Sequence, residues 1–308
     1  MKFVAGIGGA NVDLHGRANG PVLLRDSNPG HLHLSCGGVM RNILENLARL
    51  GVPTAIASAV GDDGYGRILA DSCRQLGMDT RLLQVLPGQR SSCYVSILDD
   101  EGDMLVAMSD MEIIKDMGAD FVAGALPVLN QAELVVCDAN LSFEALRSLT
   151  ENCTRPLFLD PVSTAWAGMM APLAGRFDTL KPNRMELQAL TGCDCSTRAG
   201  LEGGCCQLLK TGAKRVFVSL GAEGIYYRDC RGVQLHAVSR PFPLLRNATG
   251  AGDAAMAGIV WATLRGESPL RTVQCAIGAS LCALSAENTI DEEISAEKIE
   301  TMIKEYVV

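Results

Sequence analysis

The stretch LVVCDANLSFEALRSLTENCTRPLFLD, residues 134–160, contains a strand, a helix and a second strand in succession. Residues 134–138 and 157–160 are short runs rich in residues that favour strands, and residues 143–150 between them are predicted to form a helix. Such a unit favours two parallel strands with the helix packed on one face of their sheet.

The same alternation extends over most of the chain, which has 308 residues. Further strands are predicted at residues 3–8, 54–60 and 215–219. Further helices are predicted at residues 42–50, 66–76, 184–190, 201–209, 253–264, 269–285 and 296–305. The predicted fold class is therefore α/β, with a mostly parallel central sheet covered by helices on both faces. Sheets of this kind bind ligands at the carboxyl ends of their strands.

Two segments depart from the alternation. Residues 12–35 contain Gly, Pro and Asn with short extended pieces, and residues 90–110 read as a hairpin with strands at 92–98 and 104–108 and a turn at 99–102. Strands without a crossover helix indicate a small sheet that stands off the main domain as a lid over the strand ends. We predict a large α/β domain at residues 1–11, 36–89 and 111–308, and a small β lid at residues 12–35 and 90–110.

Composition and charge exclude several classes of protein. The formal net charge is −8, which argues against a nucleic-acid binder, since that affinity comes mostly from Lys and Arg. No apolar run approaches the ~18–20 residues of a membrane helix, and the N-terminal segment reads as a buried strand rather than a secretion signal. We therefore expect a cytoplasmic protein without a membrane partner.

Two groups of residues contain side chains that commonly bind metals. The chain has 12 cysteines but no CxxC pair, and only Cys193, Cys195, Cys205 and Cys206 cluster. Reduced thiols in a cytosolic core explain them better than a metal does. The alternation His31-Leu32-His33 lacks a third ligand in the sequence and is a weak metal candidate.

The stretch RNATGAGDAAMAG, residues 246–258, combines a candidate anion loop with a carboxylate. Gly250, Ala251 and Gly252 precede a predicted helix, whose free N–H groups and positive dipole end attract anions. Asp253 would repel a phosphate, so its sensible role is that of a general base that takes the proton of an attacking hydroxyl. The alternative is that Asp253 merely caps the helix.

Other phosphate-binding and nucleotide-binding motifs are absent or weak. The chain has neither a Walker loop nor the motifs of protein kinases. Residues 6–11, GIGGAN, superficially resemble a dinucleotide fingerprint but lack the third glycine and a following helix. A dinucleotide-dependent oxidoreductase is therefore a distant alternative.

Polar residues near the first strand form a candidate sugar pocket. Asn11 and Asp13 follow that strand, and Gly37 and Gly38 precede a helix that starts near residue 39 with Asn42 on its first turn. Such side chains can hold sugar hydroxyls, and glycine allows close backbone approach. Each group alone would also be explained as turn chemistry.

Two further segments are candidates for binding a nucleotide and its metal. In LKPNRMEL, residues 180–187, Glu186 is a candidate ligand of hydrated Mg²⁺, or else completes a capping box with Asn183. Ser219, Gly221 and Gly224 lie in a glycine-spaced turn that could pass beneath nucleotide phosphates or form a plain hairpin.

Together, and in this order, these motifs resemble the ribokinase-like family of carbohydrate and nucleoside kinases. The residues that carry the resemblance are Asn11 and Asp13, Gly37-Gly38 with Asn42, Gly61-Asp62-Asp63 with Gly66, Lys181-Pro182-Asn183 with Glu186, Gly221 with Gly224, and Thr249-Gly250-Ala251-Gly252-Asp253. Six stretches are similar to the members that phosphorylate pseudouridine: DSNPG (26–30), SCGGVMRNILENLARLG (35–51), GDMLVAMSDMEI (102–113), DPVS (160–163), LKPNRMEL (180–187) and NATGAGDA (247–254).

The resemblance implies a three-layer ribokinase-like sandwich with a β-sheet lid, and an enzyme that uses ATP and Mg²⁺ to phosphorylate a ribose 5′-hydroxyl. It implies these roles: Asp253 as base; Gly250, Ala251 and Gly252 as the anion hole; Asn11, Asp13, Gly37, Gly38 and Asn42 as the ribose site; Asn183, Ser219, Gly221, Gly224 and Thr249 as the ATP site; and Glu186 as the metal ligand. It also implies a homodimer formed through the lids.

The sequence leaves open whether the protein needs a monovalent cation and which nucleoside it binds. Asn247 stands where many relatives have an aspartate that supports a monovalent-cation site, so a K⁺ requirement is in doubt. Ser92 and Asp110 on the lid are candidates for contacts with the nucleobase, although Asp110 is equally explained as a solvated turn residue. A kinase for ribose, adenosine or another nucleoside is the nearest alternative, and a catalytically silent binding protein is a third.

Overall fold

A computed structural model describes residues 2–101 and 103–308 of the chain. Its strands are β1 (Val4–Ile7), β2 (Asn11–Ala18), β3 (Gly30–Gly37), β4 (Thr54–Gly61), β5 (Asp79–Leu86), β6 (Cys93–Leu98), β7 (Met104–Asp110), β8 (Leu134–Asp138), β9 (Leu157–Asp160), β10 (Thr179–Leu180), β11 (Arg215–Ser219), β12 (Ile225–Asp229) and β13 (Gln234–Ala237). Its α-helices are α1 (Val39–Arg49), α2 (Gly64–Gln75), α3 (Ala119–Leu129), α4 (Phe143–Asn152), α5 (Thr164–Met170), α6 (Arg184–Thr191), α7 (Arg198–Lys210), α8 (Ala251–Leu264), α9 (Pro269–Ser285) and α10 (Ala296–Tyr306).

The main sheet has nine strands within these described ranges, in the order β13-β12-β11-β10-β9-β8-β1-β4-β5. The strands from β11 to β5 pair in parallel, and β12 and β13 add an antiparallel edge. The predicted mostly parallel sheet is confirmed. Because all the parallel strands end at one edge, the loops that follow them meet there.

Helices cover both faces of this sheet. One core cluster joins alternate strand residues such as Ile7 and Val135 to helices α3 to α7. The other joins Val4 and Val136 to α1, α8, α9 and α10. Neighbouring residues of one strand face opposite layers, which is why the buried strands are apolar throughout rather than alternating.

The second sheet consists of β3-β2-β6-β7 in the described part of the chain. Strands β2 and β3 form an antiparallel pair, β6 and β7 form the predicted hairpin, and β2 pairs with β6 in parallel. Strand β3 of this sheet leads into α1 through Gly37 and Gly38. Gly102, in the predicted turn, lies outside the described residues. The division into two domains stays a prediction.

Within residues 2–101 and 103–308, none of the helices combines the length and the apolarity that crossing a bilayer requires.

Candidate active site

Charged side chains cluster where neighbouring parallel strands end. Strands β8 and β9 end in Asp138 and Asp160, and Lys181 directly follows β10. All three are buried, with 0%, 4% and 4% of their surface exposed. Buried charges are costly unless they are paired or hydrogen-bonded, and a cluster of them at the strand ends makes this edge of the sheet a candidate active site.

The N-terminus of α8 lies beside this edge of the sheet. Gly250 is its N-cap, with a φ of 82°, and a side chain there would collide with the carbonyl of Thr289. Hydrogen bonding within the helix begins with the N–H of Ala254, which donates to the carbonyl of Gly250 at 2.9 Å. The amides of Ala251, Gly252 and Asp253 therefore have no partner within the helix and are free to bind an anion.

Asp253 lies on the first turn of α8 and is held from α1. The side-chain amide of Asn42 donates a hydrogen bond of 2.9 Å from Nδ2 to Oδ2 of Asp253. Burial, together with the negative charge of Asp160, raises the pKa of Asp253 to about 7, although Asn42 and Lys181 oppose the shift. A carboxylate with this pKa is suited to accept a proton near neutral pH. The alternative of a side-chain cap is not realised, since the cap is Gly250 and makes no side-chain hydrogen bond.

Lys181 supplies a positive charge beside the anion loop. Its Nζ lies 3.1 Å from Oδ2 of Asp160, and it is the nearest group to a side chain placed on Gly252, at 3.5 Å. Burial alone would lower the pKa of Lys181, but the charges of Asp160 and Glu186 outweigh it and raise that pKa. Lys181 is therefore a fixed cation next to the amides of α8.

Asp138 accepts hydrogen bonds from backbone amides near the end of β1 and the end of β8. Its Oδ2 accepts the N–H of Gly9 at 2.9 Å and its Oδ1 accepts the N–H of Asn140 at 3.0 Å. Burial raises the pKa of Asp138 to about 6 against the effect of these bonds. A side chain on Gly8 would collide with the carboxylate, so glycine is needed there for close approach.

The predicted sugar residues lie close together at the root of the small sheet. Nδ2 of Asn11 donates to Oδ1 of Asp13 at 2.6 Å, and a side chain on Gly37 would overlap that carboxylate. Burial raises the pKa of Asp13, with the Asn11 hydrogen bond opposing it. Gly38 has a φ of 98° and caps α1, which carries Asn42. The arrangement offers carboxylate and amide groups that can form hydrogen bonds with the hydroxyls of a polyol.

The two lid residues predicted to contact a base differ in their surroundings. Ser92 is 1% exposed, and its Oγ has no hydrogen-bond partner in the described chain. Asp110 pairs with Arg90 at 3.1 Å, and both side chains are exposed. The surface pairing agrees with the alternative interpretation of Asp110 as a solvated residue, and neither base contact is tested by this geometry.

A cavity of about 680 Å³ adjoins the anion loop. Its wall contains Ser219, Gly221 and Gly224 from the β11–β12 connection, and Ala251 and Gly252 from α8. Predominantly apolar residues form the rest of the wall, among them Phe242, Leu245, Ile277, Leu281 and Leu284. The glycine-spaced turn is a hairpin, since β11 and β12 are antiparallel, and it is also part of a ligand-sized cavity.

Two predicted ATP-site residues lie outside the wall of that cavity. Thr249 is exposed, and its N–H donates to Oδ1 of Asn247 at 2.9 Å. Asn183 caps α6, and its backbone pairs with that of Ser219. Their predicted roles stay predictions.

Asn183 and Glu186 form the capping box that the sequence left as an alternative. Glu186 accepts the N–H of Asn183 at 2.8 Å, and Asn183 accepts the N–H of Glu186 at 2.9 Å. Burial raises the pKa of Glu186, which is 4% exposed. The cap uses one carboxylate oxygen, Oε2, so the other is available to a ligand.

The weaker metal and nucleotide candidates find no support in the geometry. Among residues 2–101 and 103–308, no three His, Cys, Asp or Glu side chains are grouped to hold a metal, which leaves both the cysteine cluster and His31 with His33 without a site. The fingerprint-like stretch 6–11 leads from β1 into strand β2 and not into a helix. It therefore lacks the helix N-terminus that a dinucleotide pyrophosphate needs.

Comparison with known proteins identifies the family of the chain. The family model described as pfkB family carbohydrate kinase matches residues 1–296. The chain belongs to the pfkB family of carbohydrate kinases. The pseudouridine kinase of Escherichia coli K12 is 36% identical over 304 residues, which are 98% of this chain and 96% of that protein.

Solved structures of other kinases share the fold of this pfkB-family chain. A candidate sugar kinase from Clostridium perfringens has a TM-score of 0.90 at 30% identity and covers 100% of this chain and 98% of its own. Ribokinase of Arabidopsis thaliana, complexed with ribose and ATP, has a TM-score of 0.80 at 20% identity and covers 99% of both chains. The predicted ribokinase-like fold is confirmed, and the oxidoreductase alternative is wrong.

Sequence reasoning gave no role to three charged residues at this edge of the sheet: Asp138, Asp160 and Lys181. The available signal was position, because Asp138 and Asp160 end predicted parallel strands whose carboxyl ends meet. Lys181 was part of the motif that carried the resemblance but received no role.

Proposed function

We propose that this protein transfers the γ-phosphoryl group of ATP to the ribose 5′-hydroxyl of pseudouridine, giving pseudouridine 5′-phosphate and ADP. Similarity to the E. coli pseudouridine kinase, which extends over 98% of this chain, supports the choice of nucleoside. The observation that carries the chemistry is the pairing of Asp253 with an anion-binding helix terminus on one turn of α8.

Asp253 acts in this proposal as the general base. The 5′-hydroxyl gives its proton to the Asp253 carboxylate while its oxygen forms a bond to the γ-phosphorus, and the bond between that phosphorus and the bridging oxygen of ADP breaks. Asn42 holds Oδ2 of Asp253 at 2.9 Å, which leaves Oδ1 for the proton. The raised pKa, about 7, makes this carboxylate a stronger base than an exposed aspartate.

The charge that develops on the transferred group is met by fixed donors. The free amides of Ala251, Gly252 and Asp253 and the ammonium of Lys181 lie on the same side of the site. Preorganised donors of this kind stabilise a transition state without the reorganisation that water requires. Lys181 thus joins the predicted anion hole.

The cavity beside the anion loop is our proposed ATP site. Gly221 has open space where a side chain would stand, whereas a side chain on Gly224 would collide with the carbonyl of Ala237. The apolar wall of the cavity suits an adenine ring. Mg²⁺ commonly binds one or two carboxylates together with substrate phosphates, so the free oxygen of Glu186 fits such an ion. The ion would neutralise phosphate charge. Asn247 leaves the need for K⁺ an open prediction.

The small sheet would close over the sugar. Asn11 and Asp13 stand on its first strand, and Gly37 and Gly38 connect it to α1. We propose that these residues with Asn42 hold the ribose hydroxyls, and that the unpartnered hydroxyl of Ser92 turns toward the nucleoside base when the lid closes. Closure would exclude water from the phosphoryl donor.

We also propose that a second copy of the chain covers the lid. Several lid side chains are apolar and exposed: Leu32, Leu34, Met104, Leu105, Val106 and Met108. Such a patch on a small sheet is typical of a protein interface. The expected location is the cytoplasm, with which the twelve free cysteines are compatible.

A phosphorylation panel tests the proposed substrate. The purified protein is incubated with ATP and Mg²⁺ and with pseudouridine, uridine, adenosine or free ribose, and ADP release and the phosphorylated product are measured. We expect the highest kcat/KM with pseudouridine. A higher value with another ribosyl compound would keep the kinase and overturn the nucleoside, whereas no phosphorylation of any member would overturn the proposed reaction.

A further inference from the structure

Arg41 is a buried cation between the root of the lid and the catalytic side of α1. Its side chain is 3% exposed, yet no role follows for it from the proposed chemistry. Nη1 donates to the carbonyl oxygen of Cys36, the second-last residue of lid strand β3, at 3.1 Å. Nη2 donates to Oγ of Ser72 on α2 at 2.8 Å. One guanidinium therefore joins the lid strand to two helices of the main domain.

The same guanidinium touches the amide that holds Asp253. Nη1 of Arg41 lies 3.4 Å from Oδ1 of Asn42, and Nδ2 of Asn42 donates to Asp253 at 2.9 Å. A flipped Asn42 amide would bring a donor against the guanidinium and an oxygen against the carboxylate. Arg41 and Asp253 thus require the same orientation of Asn42 from opposite ends.

Stability alone does not account for Arg41. Its Nε has no acceptor among the described residues. Glu45 pairs with Arg41 through Oε2 at 2.7 Å and with Arg49 through Oε1 at 2.8 Å, so Arg41 is not the sole partner of this carboxylate. Leaving a buried donor unpaired is unfavourable, and an apolar residue would avoid it. The fork of a guanidinium can bridge several acceptors in fixed directions, which an ammonium cannot.

We propose that Arg41 is a positioning residue that couples the root of the lid, at Cys36, to the orientation of Asn42 and so to the base Asp253. This inference rests on the proposed function. Movement of lid strand β3 displaces the carbonyl that Arg41 binds, and the guanidinium transmits that displacement to the Asn42 amide. Substrate that closes the lid thereby sets the geometry of the base.

The test compares Arg41→Lys and Arg41→Gln with Arg49→Lys and Arg49→Gln. Both arginines pair with Glu45, but Arg49 contacts neither Cys36 nor Asn42, so its variants control for the loss of a charge beside Glu45. We expect both Arg41 variants to lower kcat by about 10- to 100-fold, because small misplacements of a catalytic group have effects of that size. KM for ATP and the kcat of the Arg49 variants should change less than about threefold. A purely structural role for the charge predicts instead that Lys restores activity at position 41.

A double-mutant cycle with Asn42→Ala decides whether Arg41 acts through Asn42. If it does, Arg41→Lys has no further effect on kcat once Asn42 is removed. Independent, multiplicative losses would overturn the inference, as would Arg41 variants that match their Arg49 counterparts. Should Arg41→Gln not fold, as judged by circular dichroism, Arg41→Lys alone carries the comparison. An inactive wild-type protein in the substrate panel would contradict the proposed function instead.

Discussion

Lys181 and Asp160 form a buried ion pair, with 3.1 Å between Nζ and Oδ2, because β9 and β10 pair in parallel with Leu180 opposite Leu159. The next residue of each strand then lies side by side. The pair stands at the carboxyl end of the sheet, where Asp160 raises the pKa of Asp253 and Lys181 lowers it. We expect Asp160→Asn to remove the negative charge that raises the pKa of Asp253 and to release Lys181 from its ion pair. Both effects lower the pKa of Asp253. The acid limb of the pH profile of kcat should move to lower pH.

A matched control for this prediction exists at the other end of β10. Asp178 pairs with Lys214 at 2.8 Å and with Arg215 at 3.3 Å, at the amino ends of the strands. Asp178→Asn removes a more exposed ion pair, whose charge is not among the causes of the raised pKa of Asp253, and should leave the acid limb in place. An unchanged acid limb in Asp160→Asn, or an equal shift in both variants, would refute the electrostatic role of Asp160.

Replacing Asp253 by Asn removes the proposed base while keeping its shape. We expect Asp253→Asn to lower kcat by about 10²- to 10⁴-fold, the usual contribution of a general base. The dissociation constant of ATP, measured by calorimetry, should stay within about threefold, because the amides of α8 and the adjoining cavity are unchanged. Substantial turnover by this variant would exclude Asp253 as the base.

How far the sequence predicts this molecule depends on the range of the interaction concerned. The strand–helix alternation is local and strong, so the main sheet and the anion loop are predictable. Strand β10 has only two residues and gives no periodic signal. The contact of Asn42 with Asp253 joins residues 211 positions apart on two helices, and no single-sequence pattern reports it. Asp160 and Lys181 likewise become partners only through strand register.

The pH dependence of stability offers an independent measure of the burial of Asp253. The folded protein retains the proton of this carboxyl up to a pKa of about 7, whereas an ordinary aspartate releases it at 3.8. The folded state therefore loses stability from this group as pH rises from about 4 to 7. The Asp253→Asn variant does not undergo this loss of stability. The difference between its Tm and that of the wild type should therefore increase with pH across that window and be constant above pH 8. Asp138 is present in both proteins, so the comparison reports the loss of the Asp253 carboxyl together with its charge coupling to Asp138.

This measurement uses thermal unfolding at several pH values between 4 and 9. For a chain of this size, each kcal/mol of stability corresponds to roughly 2–4 °C in Tm. A Tm difference that is flat with pH would indicate that Asp253 titrates like an exposed carboxylate, and the proposed match between its pKa and neutral pH would then be wrong.

Gly38 permits the close approach of α1 to the end of the first strand. Its φ of 98° is in a region that disfavours side chains, and a Cβ would lie 2.6 Å from the carbonyl oxygen of Gly9. Gly38→Ala should therefore lower stability by about 1–3 kcal/mol and lower kcat as well, because α1 carries Asn42. Gly51 has a φ of 77° and open space around it, so Gly51→Ala measures the loss of stability from a positive φ alone, without a steric collision. Equal kcat values in the two variants would show that the contact with Gly9 is not needed for activity.

The apolar surface of the lid leads to a prediction about assembly. Leu32 and Met108 are 74% and 73% exposed, although both side chains are large and apolar. If a second copy covers them, the wild-type protein is a dimer by light scattering after size exclusion. The double substitution Leu32→Glu and Met108→Glu should then give monomers, because two buried carboxylates per chain would lack partners. Leu270→Glu, on α9 and 48% exposed, changes a comparable surface residue away from the lid and should leave the dimer intact. A monomeric wild type, or a dimer that survives the lid substitutions but not Leu270→Glu, would contradict assembly through the lid.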